Sequence, residues 1–274
     1  MVEIQALNNA PHRVDQHKSK DEHRMAAKKS SDLTPSKASL KSKVEKTRVP
    51  AKGKAYTLDL RVHSPASLGY YGIDGIDTAP ALVSLAKVKG LDVIAVTDFH
   101  SGVFVDRVVE AAKNSPVTVI PGVDLRCVLG CCDDLILTCL FPESVSGDQI
   151  NEFLRELAIP KTAGGDMNYI TRVPFDQILR VLNRYDGVAL PSRVDRTPNR
   201  LMVLPTLIEK YGFRAFDLAY ADSVAIFKQR WPKIKFQLFS FSEANSLAQV
   251  GSRTARVKMP NAGFAGIRDL VQRG

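Results

Sequence analysis

Histidine is scarce in this chain. Five stand among 274 residues, and three of them, His12, His17 and His23, lie in a polar stretch at the N-terminal end. Only His63 and His100 remain after residue 54, which excludes a site built on several imidazoles. Other absences narrow the chain further. No apolar run reaches the ~20 residues that a membrane-crossing helix needs, and residues 1–25 carry no apolar core of the kind that marks a cleavable leader. A cytoplasmic location and no membrane partner are expected. Neither Gly-x-Gly-x-x-Gly nor a phosphate-loop pattern occurs, which argues against an open nucleotide-binding sheet. Tryptophan occurs once, as Trp231 before Pro232, where packing at a helix end accounts for it. The four cysteines, Cys127, Cys131, Cys132 and Cys139, fall within 13 residues. Their spacing matches no common zinc ligand set, so reduced thiols are expected, with Cys139 in the core.

Charge divides the chain in two. Residues 1–54 hold 13 Lys/Arg against 6 Asp/Glu, a surplus of +7 out of the total +9. This segment has no Phe, Tyr or Trp and too few large apolar residues to offset chain entropy, so it reads as a disordered basic tail. Residues 55–274 are nearly neutral and carry the apolar content of a folded domain.

From Tyr56 the pattern alternates between strand and helix. Strands are expected at Tyr56–Val62, Leu91–Val96, Val117–Ile120 (ending at Pro121-Gly122), Leu135–Phe141, Val188–Leu190, Ala215–Leu218, Phe236–Phe241 and Arg256–Met259. Helices are expected at Thr78–Lys89, Phe104–Asn114, Gln149–Leu157, Phe175–Tyr185, Arg200–Tyr211, Ser223–Arg230 and Gly263–Arg273. Such alternation implies an α/β fold with a parallel sheet closed into a barrel. Polar residues gather where strands end: Arg61 and His63, then Thr97, Asp98 and His100, then Asp124, then Arg193 and Asp195, then Glu243 and Asn245. In a barrel these ends converge on one face.

With those residues in view, the chain resembles the PHP (polymerase and histidinol phosphatase) superfamily, in its stand-alone phosphoesterase-like branch, from about Leu58 to Met259. Asp59-Leu60-Arg61-Val62-His63-Ser64 is similar to the family's Asp-Leu-His-x-His-Ser/Thr. Thr97-Asp98-Phe99-His100 is similar to Thr-Asp-His-Asn, Pro121-Gly122-Val123-Asp124 to Pro-Gly-x-Glu, Arg193-Val194-Asp195-Arg196 to His-x-Asp-Arg, and Ser242-Glu243-Ala244-Asn245 to Ser-Asp-Ala-His with Gly251 in step. The resemblance implies a distorted (β/α)7 barrel that binds up to three divalent metals (Mn, Zn, Fe or Mg) and hydrolyses phosphoesters.

The ligand positions are mostly changed. Arg61 and Arg193 stand for imidazoles, and Phe99 for the imidazole after Asp98. Ile136 falls where a His precedes an apolar run, and Leu68 near a carboxylate. Asp124 replaces Glu, and Glu243 and Asn245 replace Asp and His. A guanidinium has no lone pair to give a metal, and Phe, Leu and Ile have none at all. His100 is next to Phe99, but adjacent side chains on an extended strand point to opposite sides, so only a local bulge would let it stand in. Without metals the remaining carboxylates need cations, which Arg61 and Arg193 supply for Asp98, Asp124 and Glu243. The alternative has both arginines swinging out to solvent.

The readings that follow differ in chemistry. The first is a metal-poor or metal-free PHP-like protein that binds a small anion or a protein partner, with Arg61, Arg193 and Arg196 as candidate anion-binding residues. The second is a reduced-metal phosphoesterase acting on a small phosphate ester or nucleotide, one divalent ion being held by His63, Asp98, Asp124 and Glu243. The third is a nucleic-acid-associated protein that makes weak contact through residues 1–54. Tyr70-Tyr71 is read as a lid over the site or as a packed loop. Deleting residues 1–54 is expected to leave the domain's stability nearly unchanged and to abolish salt-sensitive anion binding. DNA affinity measured against ionic strength before and after truncation checks this.

Overall fold

The computed structural model describes residues 53–272. The basic tail therefore lies outside the described residues, except for its last two positions. Those two belong to the domain. Lys54 opens the first strand opposite Met259, and Gly53 lies so close to Met259 that a Cβ there would sit 2.3 Å from the Met259 carbonyl oxygen. The boundary drawn from composition is thus two residues too late, because Lys54 counts as tail by charge but as strand by pairing.

Among the described residues eight strands form one sheet: β1 Lys54–Val62, β2 Val93–Val96, β3 Thr118–Leu129, β4 Cys132–Leu140, β5 Val188–Ser192, β6 Ala215–Asp217, β7 Gln237–Phe239 and β8 Ala255–Met259. Their order is β7-β6-β5-β4-β3-β2-β1-β8. The helices are α1 Thr78–Val88, α2 Val105–Ala112, α3 Gly147–Glu156, α4 Phe175–Arg184, α5 Pro198–Met202, α6 Val224–Arg230 and α7 Phe264–Gln272. Their starts follow from the sequence. Asp77 caps α1, Ser146 and Gln149 form a capping box on α3, and Thr197 caps α5 ahead of Pro198.

β7 and β8 are the sheet's edges, yet the ring closes. Beyond β7, Ala244 bridges Val62 in parallel, with His63 N donating to Ala244 O (2.9 Å) and Ala244 N to Arg61 O (3.2 Å). Seven strands thereby make the barrel, and β8 lies along the first half of β1.

The barrel is not wholly parallel. β4 runs antiparallel to both β3 and β5, and β8 antiparallel to β1. Two features hid this in the sequence. Pro121-Gly122 reads as a strand end, but β3 continues through it for seven further residues to Leu129. Pro121 is placed where β2 stops at Val96, and Gly122 is needed because a Cβ would lie 2.8 Å from Thr97 Cγ2 and 3.1 Å from Cys139 O. The β3–β4 connection is then a hairpin at Gly130-Cys131, with no helix between. Likewise, the single helix expected over Arg200–Tyr211 is α5 followed by a separate π-helical turn, Thr206–Lys210, the break falling at Pro205.

The core has two compartments. Strand residues facing outward pack with α1 to α4 and α6. Residues facing inward, among them Leu58, Leu60, Ala95, Ile120, Leu140, Leu190 and Phe239, fill the barrel. Phe264, Ile267, Leu270 and Val271 of α7 join that inner cluster and stop the end where the parallel strands begin. Cys127, Cys132 and Cys139 are buried free thiols, and Cys131 is exposed at the hairpin tip. No helix among the described residues is long and apolar enough to cross a membrane.

Asp59 ties the seam. Fully buried, it accepts from Ser242 N (3.1 Å), Ser242 Oγ (2.6 Å) and Gly251 N (2.9 Å). Asp59→Ala leaves these buried donors unmatched and is expected to destabilise the domain by about 2–4 kcal/mol, read by urea unfolding. Asp59→Asn, which keeps one acceptor oxygen, is expected to cost less.

Candidate functional site

A bulge in β1 sets up the polar end of the barrel. Asp59 pairs with Ile94 and Val62 with Val96, so three steps along β1 match two along β2. One extra residue breaks the alternation of side chains. Leu60 faces the barrel interior with the apolar layer, Val62 joins the outer core, and Arg61 and His63 turn inward above Leu60. The interior is therefore layered, apolar below and charged above.

Arg61 and Arg193 are both 0% exposed. Arg61 donates to Asp124 Oδ2 through Nε (3.1 Å) and Nη2 (2.7 Å), to Asp217 Oδ2 through Nη1 (3.3 Å), and to Glu243 Oε1 through Nη2 (3.3 Å). Arg193 donates to Glu243 Oε2 (3.0 Å) and to the carbonyls of Leu218 (3.0 Å) and Phe241 (2.8 Å), with Asp217 Oδ2 at 3.7 Å. Arg196, 55% exposed, reaches Glu243 Oε2 from the rim at 3.3 Å. Three carboxylates thus face two buried guanidiniums and one at the mouth. Arg193 and Glu243 have φ of +51° and +54°, a left-handed backbone that non-glycine residues rarely adopt. The ion pair between them accompanies that strained pair of turns.

The other residues at this end take distinct places. His63 Nδ1 lies 2.6 Å from Asn245 Oδ1 and Nε2 3.4 Å from Asp124 Oδ2, two acceptors that together favour the doubly protonated ring. Asp98 is turned away from the arginines. It accepts from Ser64 N (2.7 Å), Ser64 Oγ (2.5 Å) and Ser67 Oγ (2.6 Å). Phe99 is buried with its ring edge-on to His63 at 5.2 Å. Ile136 is buried in β4, opposite Ser192 of β5, two residues before Thr138 and so on the same face. Asp195 lies outside the cluster and accepts from Ala219 N (2.6 Å) and Tyr220 N (2.8 Å). His100, with φ +50°, directs Nε2 to Tyr169 O (3.1 Å) and does not stand in for Phe99. Leu68 is exposed. Tyr71 is exposed and its backbone bridges Ser246, so the loop is docked beside the mouth while Tyr70 is half-buried.

Three contributors escaped sequence reasoning. Asp217 ends β6 and obeys the same strand-end rule, but the apolar Leu218 after it makes the strand look one residue longer in the sequence and hides it. Thr138 donates to Asp124 Oδ1 (2.6 Å) and sits 2.8 Å from Ser192 Oγ. Nothing marks either hydroxyl in the sequence except its parity with inward residues on β4 and β5.

Burial penalises every charge here, and the partners decide the net direction. For Asp124, Arg61 and His63 outweigh burial and hold the carboxyl well below the ordinary range. Glu243 is also held low, against burial, by Arg61 and Arg193. Burial prevails for Asp98 and Asp217, which are raised. His63 is raised because Asp124 outweighs burial, whereas burial pushes His100 down to about 4. Arg61 is raised, since its three carboxylates overcome burial.

The donor set does not fit a divalent metal. His63, Asp98, Asp124 and Glu243 do not converge: Asp98 belongs to the serines, Asp124 to Arg61, and Glu243 to three arginines. Among the described residues no group of three or more His, Cys, Asp or Glu is arranged to hold an ion. Nor do Arg61, Arg193 and Arg196 form an open anion fork, because the first two spend their donors inside the barrel.

No family model matches the sequence, and no curated protein matches it either. Solved structures do. The lesion-specific endonuclease of Pyrococcus furiosus, Endonuclease Q, is similar over 80% of this chain and 56% of its own, with a TM-score of 0.59 and 18% identity. Endonuclease Q bound to a 27-mer duplex carrying an abasic lesion gives 0.56 and 16% identity, over 80% of this chain and 57% of that one. A protein of Bifidobacterium adolescentis provisionally classed as a metal-dependent phosphoesterase gives 0.51 and 12%, over 79% of this chain and 96% of its own. This chain spans a little over half the length of Endonuclease Q. At these identities the likeness is one of fold, and the fold is the PHP-type barrel that the motif order resembles.

Arg61→Ala leaves three carboxylates without their shared cation and is expected to cost about 3–5 kcal/mol at neutral pH. Asp124 and Glu243 have lowered folded-state values, so their share of stability is present above the ordinary carboxylate range and is lost as pH falls. In the variant those carboxyls protonate more readily, so the penalty shrinks on acidification. Urea unfolding at pH 7 and near pH 4, for both proteins, measures this.

Proposed function

We propose that this PHP-type barrel works by binding rather than by metal-assisted phosphoester hydrolysis. The observation that carries the reading is Arg61, fully buried and shared among Asp124, Asp217 and Glu243. A divalent ion in such a cavity neutralises carboxylates and activates water. A guanidinium supplies only the neutralisation, having neither an open coordination position nor a proton it can release near neutral pH. His63, the one imidazole in the cluster, is engaged on both nitrogens. The role that fits is a binding or regulatory one directed at a small anion or a protein. Arg196 is the cation best exposed at the mouth for the former.

Elemental analysis of purified full-length protein for Mn, Fe, Zn and Mg, with a bis-p-nitrophenyl phosphate assay, tests the reading. Near-zero metal and no turnover are expected. Arg61→His, Phe99→His and Arg193→His together are expected to raise Mn and Zn affinity, because they put ligands where non-ligands stand. Stoichiometric metal in the unmodified protein, with turnover abolished by Asp124→Ala, would overturn it in favour of the reduced-metal hydrolase.

A second reading has nucleic acid as the partner. It is favoured by Endonuclease Q, which shares the fold and was solved with a DNA duplex, together with the +7 surplus of residues 1–54. Loss of salt-dependent DNA affinity on removing the tail separates this from a DNA site on the barrel.

A further inference from the structure

We propose that the seam between β7 and β8 accepts an extended, acidic segment of a partner protein as an added strand. This surface lies on the outer side of β7, whose Phe239 pairs with Asp217 of the arginine cluster, and the inference stands whether or not the barrel mouth is catalytic.

The seam arises from how the ring closes. Ala244, beyond β7, meets Val62 at the charged end of β1, whereas β8 occupies β1 from Lys54 to Leu58. Alongside β8, therefore, β7 has no strand neighbour on its outer side among the described residues. Among the described residues β7 pairs only with β6, and β8 only with β1. A cleft of about 640 Å³ separates the two edges, lined by Gln237, Leu238 and Phe239 on one side and Ala255, Arg256 and Val257 on the other.

Hydrogen-bond parity shows which main-chain groups face it. Gln237 N donates to Arg214 O, and Leu218 N to Phe239 O, so residues 237 and 239 are turned toward β6. The N–H and C=O of Leu238 between them point into the cleft. On β1, Thr57 bonds Asp92 through both N and O, away from β8. Hence its partner Arg256 is not bonded to β1 by its main chain, and Arg256 N–H and C=O face the cleft. The edges offer donors and acceptors on both sides, the arrangement that strand addition uses.

Charge and floor select the occupant. Residues 224–260 contain seven Lys/Arg and one acid, Glu243, which is half-buried and paired within the arginine cluster. Lys228 and Arg256 line the cleft, and both are exposed. Trp231 and Phe236 are half-buried in it, ring centroids 6.2 Å apart. An extended segment alternating apolar and acidic residues matches a basic rim over an aromatic floor. The chain's own tail, with its +7 surplus, does not.

The test titrates full-length protein with a labelled short peptide alternating valine and glutamate. The same peptide N-methylated at alternate residues, and a single-stranded oligonucleotide of equal charge, serve as competitors. Binding by the plain peptide is expected, at least tenfold weaker for the N-methylated one, which has the same charge but cannot complete a ladder. Arg256→Pro removes one cleft-facing N–H while sparing the pairing with β1, and is expected to weaken peptide binding at least tenfold without changing the unfolding temperature. Equal binding of both peptides overturns the proposal, as does no binding. Tighter binding of the oligonucleotide, sensitive to Arg256→Glu, would assign the cleft to nucleic acid instead.

Discussion

A fully buried cation must be matched by fixed oxygen, and Arg61 imposes that requirement on most of the barrel. Its side chain rises from β1 and is met by Asp124 on β3, Asp217 at the end of β6 and Glu243 just beyond β7. Strands far apart in sequence are thereby held to one point. Thr138 and Ser192 complete the contact from β4 and β5 through Asp124. The bulge in β1 is what aims Arg61 there, and the left-handed turns at Glu243 and Arg193 bring in a counter-charge and a second guanidinium that shares it. Geometry that would be strained by itself is retained because releasing it would leave charge unpaired in a medium of low polarity.

A guanidinium substitutes for a metal ion in one sense only. Both balance negative charge, but the metal leaves positions free for substrate and water, while Arg61 and Arg193 point their donors at protein oxygens. Arg193 spends two on the carbonyls of Leu218 and Phe241. Most donors of the two buried guanidiniums are therefore spent on the protein itself, and Phe99 is placed against His63.

Much of this was legible in the sequence. Alternating strand and helix patterns located all eight strands, and polar residues at strand ends marked Arg61, His63, Asp124, Arg193 and Glu243. The failures have physical causes. Pro121-Gly122 looks like a terminator, but the proline sits where the neighbouring strand ends and the glycine answers a close approach, so β3 runs on and β4 turns back. Asp217 was missed because an apolar neighbour extended the apparent strand past it. Asp98 and Asp195 were placed at the correct end, yet hydroxyls and backbone amides claim them, a competition that spacing does not reveal. The seam at β7 and β8 depends on which main-chain groups lack partners, and no residue type announces that.

Sharing one guanidinium among three carboxylates also constrains how the sequence can change. A substitution at Arg61 alters the electrostatic setting of β3, β6 and the turn after β7 together, so the effects of changes at Asp124, Asp217 and Glu243 depend on which residue occupies position 61. Mutational effects within this group are non-additive. Replacing Arg61 alone by an imidazole would leave buried carboxylates without their shared cation. The cluster thus couples several strands: a single change within it leaves charge unpaired, and coordinated change at its partners is needed to restore the balance.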